Sequence, residues 1–317
     1  MTITIQTGSS AATNFFAYIN AFDASFASSG RGVFSAGIEG DYASAETDIG
    51  ETANLDSLAY VLRDNIQYSL TTHTLSGTVT SVDLGAGATA ILNSDGLYDI
   101  DLAQLDYTIS FDPIVADDAA VELIYSMLGS IDPNDRTGVI EQMIKEDDVV
   151  FFGNDGNDVF RSFQGSDVLD GKAGNDDLNG GRGADTLLGD AGADTLRGSR
   201  GEDDLNGGSG VDRLNGGAHN DTLNGGADND RLTGGDGFDD FVFTDNFGRD
   251  VIVDFTSRQD DIDFSNLTDE ATTYAEFMAA STQRGDNVVY DLGRDGENVI
   301  ILQDTALEDL AVSDFIF

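Results

Sequence analysis

The chain has 317 residues, no cysteine and a formal net charge of −44, from 59 acidic against 15 basic side chains. This length accommodates two domains, and the missing cysteine excludes disulfides and thiolate sites. The acidity argues against nucleic acid or anionic lipid as a partner, and a chain so charged should resist compaction until cations arrive.

Met1–Thr7 lacks a basic segment followed by an apolar one, so no N-terminal secretory signal peptide is predicted. No apolar run approaches the ~18 residues of a transmembrane helix, which excludes membrane insertion by that route. Ser9–Ala24 is expected to be a capped amphipathic helix, with Phe15, Ile19, Phe22 and Phe26 at helical spacing. Alternating segments then predict strands at Ala59–Leu62, Ile66–Leu70, Leu75–Leu84, Tyr98–Leu102 and Tyr107–Phe111, and Asp117–Leu128 and Pro133–Lys145 predict two helices. Residues 1–146 are therefore expected to form an α+β domain, an antiparallel sheet with helices on one face. H-E-x-x-H and G-x-S-x-G motifs are absent and there is no cysteine nucleophile, so the chain is not expected to be an enzyme.

The chemistry of this half concentrates in Asn65–Gly77. His73 is the only histidine before the repeats and lies five residues after Tyr68. A phenolate is a hard ligand for ferric iron, and a neighbouring imidazole can accept the phenol's hydrogen bond and strengthen that ligand. Positions five apart on a straight strand face opposite sides, so the pair needs a turn at Thr71-Thr72. The alternative is an ordinary tyrosine with an incidental histidine.

Tyr68 followed by His73-Thr74-Leu75-Ser76-Gly77 resembles the Tyr…His-Thr-Leu-x-Gly segment of the HasA-type heme-acquisition hemophores. Phe34–Gly37 through Tyr42, Val121–Gly129, Thr137–Met143 and Asp147-Asp148 extend the resemblance. It implies ferric heme as the ligand, Tyr68 as the iron ligand, His73 as its hydrogen-bond partner and an outer-membrane heme receptor as a partner. Two features depart from the family. The Tyr–His loop is a few residues shorter, and Ser28–Val33, where the opposite heme face would receive a histidine, has none.

Ten aspartates follow at nine-residue intervals: Asp158, Asp167, Asp176, Asp185, Asp194, Asp203, Asp212, Asp221, Asp230 and Asp239. Two residues after each stands a large apolar side chain, from Phe160 through the leucines to Phe241. Glycine stands five before the aspartate except at Ser162, and two before it except at His219 and Asp228. This matches the G-G-x-G-x-D-x-U-x nonapeptide of calcium-binding parallel β-rolls, and the unbroken register sets it apart from a flexible Gly/Asp linker. Each unit is expected to hold a six-residue turn, with φ > 0 at glycine, and a three-residue strand.

Two units make a coil, so aspartates eighteen apart line one edge and the intervening set lines the other. Carboxylates and turn carbonyls are hard oxygen ligands suited to calcium, with up to about eight sites between stacked turns. Ser162-Phe163 predicts one weaker site, and His219 is expected to be a turn residue only. Calcium modules of the extracellular type bind at about 10⁻⁴ to 10⁻³ M, so this half should fold outside a cell rather than in its cytosol.

Beyond the repeats, Phe241–Phe243, Asp250–Phe255 and Asp260–Phe264 predict short strands covering the open end of the roll. The repeats, this cap and the terminal Asp314-Phe315-Ile316-Phe317 resemble the C-terminal half of RTX proteins, the serralysin-type proteases among them. That resemblance implies an uncleaved C-terminal signal at Asp314–Phe317, the type I secretion machinery as a partner, and an extracellular location. The expected organisation is a hemophore-like domain over residues 1–146, an all-β parallel β-roll over 151–243, and a β cap with the secretion signal over 244–317. The leading reading is a secreted hemophore with a calcium-folded export module. The alternative is a secreted structural or adhesive RTX protein with no heme function.

Overall fold

The computed structural model describes residues 2–7, 33–36, 39–45, 58–69, 74–92, 98–116, 145, 147–267, 273–292 and 297–317, with the backbone alone for the strands before residue 117. The chain divides into two compact units, Met1–Phe152 and Gly153–Phe317. The expected helices at Ser9–Ala24, Asp117–Leu128 and 133–144 lie outside the described residues, as does His73.

In the first unit, β1 (Thr2–Thr7), β2 (Val33–Ala36), β3 (Glu39–Ala45), β4 (Leu58–Ser69), β5 (Thr74–Leu92), β6 (Tyr98–Ala116) and β7 (Asp148–Phe152) lie in the order β2-β3-β4-β5-β6-β1-β7. Every pairing is antiparallel except that of β1 with β7. Three of these strands are longer than the sequence pattern predicts. β4 merges the two segments expected at 59–62 and 66–70, and β6 merges those at 98–102 and 107–111. A register shift between Arg63 and Ile66 carries β4 past its polar interruption, so the ladder continues where the apolar alternation pauses.

The second unit contains a succession of short strands that alternate between two parallel stacks. The first stack runs through β8 (Val159–Arg161), β10 (Asp177–Arg182), β12 (Thr195–Arg200), β14 (Arg213–Ala218), β16 (Arg231–Asp236) and β18 (Arg249–Ile252). The second runs through β9 (Val168–Asp170), β11 (Thr186–Leu188), β13 (Asp204–Ser209), β15 (Thr222–Ala227), β17 (Asp240–Thr244) and β19 (Asp261–Asn266). One strand of each stack makes a coil. Leu178, Leu196, Leu214 and Leu232 therefore stand in register in one stack, and Leu169, Leu187, Leu205 and Leu223 in the other. All are buried, so each coil covers apolar surface that its neighbour would expose.

Three details differ from the nonapeptide reading. Strands β10 and β12 to β16 have six residues instead of three, because pairing continues through the glycines, as at Gly208 opposite Gly226. The glycines also divide into two kinds. Positive φ falls in the slot two before aspartate, 132° at Gly183, where His219 and Asp228 adopt 83° and 84°, and in the slot four before it, 101° at Gly181 and 100° at Gly208. The slot five before is of the other kind: at Gly207 a Cβ would lie 2.5 Å from Asp212 Oδ2, so that glycine provides room rather than a turn.

Third, β18 and β19 continue the two stacks beyond residue 243 with parallel pairing, Leu232 opposite Ile252 and Phe241 opposite Ile262. The end is covered further along. There the helix α1 (Tyr274–Ala280), the antiparallel β20 (Ser281–Arg284) and β21 (Asn287–Asp291), then β22 (Val299–Leu302) and β23 (Phe315–Ile316) gather around an aromatic core. Thr273 and Glu276 form a capping box that starts α1. The helix inserts buried Phe277, 4.4 Å from both the Tyr290 and the Phe315 ring centroids.

Candidate calcium-binding edges

The repeat places its aspartates at the junction between turn and strand, two residues before an inward leucine, so the carboxylate is drawn under the next coil. Asp158, Asp176, Asp194, Asp212 and Asp230 stack on one edge, and Asp167, Asp185, Asp203, Asp221 and Asp239 on the other. All ten are buried. Along the first edge each backbone N–H donates to Oδ1 of the aspartate one coil on. Asp158 N donates to Asp176 at 2.7 Å, Asp176 N to Asp194 at 2.7 Å, Asp194 N to Asp212 at 2.8 Å and Asp212 N to Asp230 at 2.8 Å. The second edge repeats this from Asp167 to Asp239 over 2.9–3.0 Å.

That bond uses one carboxylate oxygen. The other oxygen, Oδ2 of Asp176, Asp194, Asp203, Asp212, Asp221, Asp230 and Asp239, is buried with no hydrogen-bond partner. A buried carboxylate oxygen without a donor is costly unless a cation or proton answers it. Burial accordingly raises these acids from the usual carboxylate range. Asp176, Asp221 and Asp230 are pushed up to about 7 by burial foremost, then by acidic neighbours on the same edge, against the lowering effect of the backbone donor. Asp203 and Asp212 rise to about 6 for the same leading cause.

Calcium fits this arrangement. Among the described residues no three acidic or imidazole side chains converge on one point. A bound ion would thus take one carboxylate oxygen per turn and complete its shell with main-chain carbonyls. Such carbonyls are at hand: a Cβ at Gly183, Gly192 or Gly201 would collide with the carbonyl oxygen of the glycine eighteen residues before it. When bound, the ion supplies the positive charge that the buried edges lack and joins adjacent turns. The chain's own part is to present the paired oxygens and hold each turn in register.

Two acids that the nine-residue spacing does not reveal extend the rows. Asp230 N donates to Asp250 Oδ1 at 2.9 Å, and Asp239 N to Asp260 Oδ1 at 3.2 Å. The offsets are twenty and twenty-one residues, which removes them from the repeat register. Asp250-Val251-Ile252 and Asp260-Asp261-Ile262 nevertheless keep the aspartate-x-apolar triad, the signal that could have found them. The two ends differ. Asp250 Oδ2 is buried without a partner, and burial pushes this acid up to about 8. Asp260 Oδ2 accepts the Thr256 N–H at 2.7 Å, closing its edge.

The remaining sites are placed as follows. Ser162 is buried in the slot where glycine was expected, and its hydroxyl has no hydrogen-bond partner. His219 is exposed on its turn. Asp314 is fully buried and accepts from Ser257 Oγ at 2.7 Å, Arg258 N at 3.0 Å and Ala311 N at 2.9 Å. Phe315 packs into the aromatic core, while Ile316 and Phe317 remain exposed. Tyr68 lies near the end of β4 opposite Leu75 of β5.

Fold and site together define a parallel β-roll in the second unit, built from repeats whose edges suit calcium. The model of the RTX calcium-binding nonapeptide repeat matches residues 150–178, 170–205, 179–214 and 206–241. No curated protein matches the chain. The extracellular lipase LipA from Serratia marcescens aligns with 54% of this chain at 18% identity and a TM-score of 0.32, and the chain spans 40% of that lipase. The apo hemophore HasA from Yersinia pestis aligns with 44% of this chain and 87% of its own, at 17% identity and a TM-score of 0.34. Its holo form gives the same values. Likeness at this level adds no weight to the repeat itself.

Proposed function

We propose that the chain is a secreted heme-capturing protein in which the first unit binds ferric heme and the calcium roll folds once the chain is outside the cell. The carrying observation is the segment Tyr68…His73-Thr74-Leu75-Ser76-Gly77, with its resemblance to the hemophore heme-binding segment. The strand register supports it. Ser69 of β4 stands opposite Thr74 of the antiparallel β5, so the strand ends that flank the Tyr68/His73 segment lie side by side. In this reading Tyr68 phenolate ligates the iron and His73 accepts the phenol's hydrogen bond, which favours the ligating form. The chain itself is no enzyme. It passes heme to an outer-membrane receptor and reaches the exterior by type I secretion through its C-terminal residues.

A hemin titration of the calcium-loaded protein followed by visible absorption tests this, with Tyr68→Phe in parallel. A saturable Soret shift with a tyrosinate-type ferric spectrum, lost in the variant, is expected. Free-hemin behaviour in both proteins would end the heme reading and leave a calcium-folded structural or adhesive module.

A further inference from the structure

The two outward faces of the roll carry opposite charge. Strands β9, β11, β13, β15, β17 and β19 contain no lysine or arginine, and display Asp204, Asp240, Asp261 and Asp263. The facing stack displays Arg161, Arg197, Arg213, Arg231 and Arg249, all exposed. A concentration of arginine on one face of a chain with net charge −44 is not a consequence of composition.

The register sets these arginines in short columns. Arg213 stands directly opposite Arg231 on adjacent strands, and Arg182 opposite Arg200 at the strand ends. Arg161 and Arg197 flank Asn179 in one column. Like charges directly across neighbouring strands are destabilising, so the arrangement lacks an anion. Among the described residues, Asp177 pairs with Arg197, whereas Arg161, Arg213, Arg231 and Arg249 have no carboxylate partner.

We propose that this face binds a linear carboxylated polysaccharide, a polymer of uronic acid. Neighbouring strands are ~4.8 Å apart, so Arg213 and Arg231 in one column, and Arg161 and Arg197 two strands apart in another, offer cations at one and two strand spacings along an extended polyuronide. The guanidinium fork suits a carboxylate bidentately. Between the arginines stand Asn179, Thr195, Asn215 and Thr233, hydrogen-bonding groups matched to sugar hydroxyls. The outward positions of β8 to β16 carry no aromatic ring on which a nucleic-acid base would stack. A duplex carries one charge per about 1.7 Å, far denser than one per sugar ring, and would meet the stronger repulsion from the rest of this acidic chain. Calcium on the two flanking edges neutralises the acids beside the face, so the calcium-loaded roll is the binding form.

The test is calorimetric titration of the calcium-loaded full chain with hexagalacturonate, with maltohexaose as the neutral control and Arg213→Gln/Arg231→Gln as the variant. Circular dichroism in calcium first establishes that the variant folds as the parent does. Saturable uronate binding that weakens by about tenfold or more in the variant, with no heat from maltohexaose, is expected. Absence of uronate binding, or equal binding by the variant, overturns the proposal. So does arginine-dependent binding of duplex DNA or anionic vesicles when hexagalacturonate does not bind.

Discussion

The two units solve the same problem, making a sheet from a strongly acidic chain, in opposite ways. In the first, β5 and β6 are 19 residues each and pair antiparallel along nearly their whole length, so the ladder itself holds the strands. In the second, strands of three to six residues pair in parallel and gain stability only from the coil on either side. The roll also buries two carboxylates with every coil, one on each edge. A repeating fold of this kind is therefore conditional: its apolar rows favour assembly, its acidic edges oppose it, and the balance passes to the cation.

Calcium removal gives the largest expected separation between the units. With EDTA at pH 7.5, far-UV circular dichroism should lose the contribution of residues 153–317 and recover it in millimolar calcium. An unchanged spectrum would break the contrast. Next comes Leu205→Ala in the middle of a stack, expected to cost about 2–5 kcal/mol in calcium-loaded denaturant unfolding. A cost below that range would mean that the apolar rows matter less than the edges.

Smaller still is the effect of pH on the calcium-free protein. Burial raises the folded acids to about 6–8, above the ordinary carboxylate value, so the folded roll holds more protons than the unfolded chain. Its stability is then greatest below about pH 4 and declines as pH rises toward about 8. Without calcium, more β-signal is expected at pH 5 than at pH 8; the reverse order would contradict the burial argument. Calcium must displace these protons, so its affinity should increase over the same interval. Smallest of all, Tyr68→Phe should leave the calcium-dependent transition unchanged while abolishing heme binding, separating the units by function.

The rows were legible because a buried aspartate, a tight turn and an inward leucine each demand one residue type at one place in nine. Asp250 and Asp260 escaped that reading when the spacing lengthened. The inserted length carries Phe247, whose ring packs 4.9 Å from Phe243 and begins the aromatic end of the roll. Six-residue strands were hidden because Asn179-Gly180-Gly181 looks like turn composition, yet neighbouring coils pair straight through it. In the first unit the long strands were read as fragments, since a ladder tolerates Gly85, Ala86 and Gly87 where the apolar alternation fails. The exposed arginines recur at multiples of eighteen, Arg213 to Arg231 to Arg249 and Arg161 to Arg197, a spacing that gains meaning only once the alternation of strands between two stacks collects them on one face.

Anomalous diffraction from crystals of the full chain grown in calcium tests the account most directly. It predicts difference peaks between stacked turns along both edges, beside Oδ2 of Asp176, Asp194, Asp212 and Asp230 on one and of Asp203, Asp221 and Asp239 on the other. An ordered roll with no anomalous density in those gaps would contradict it.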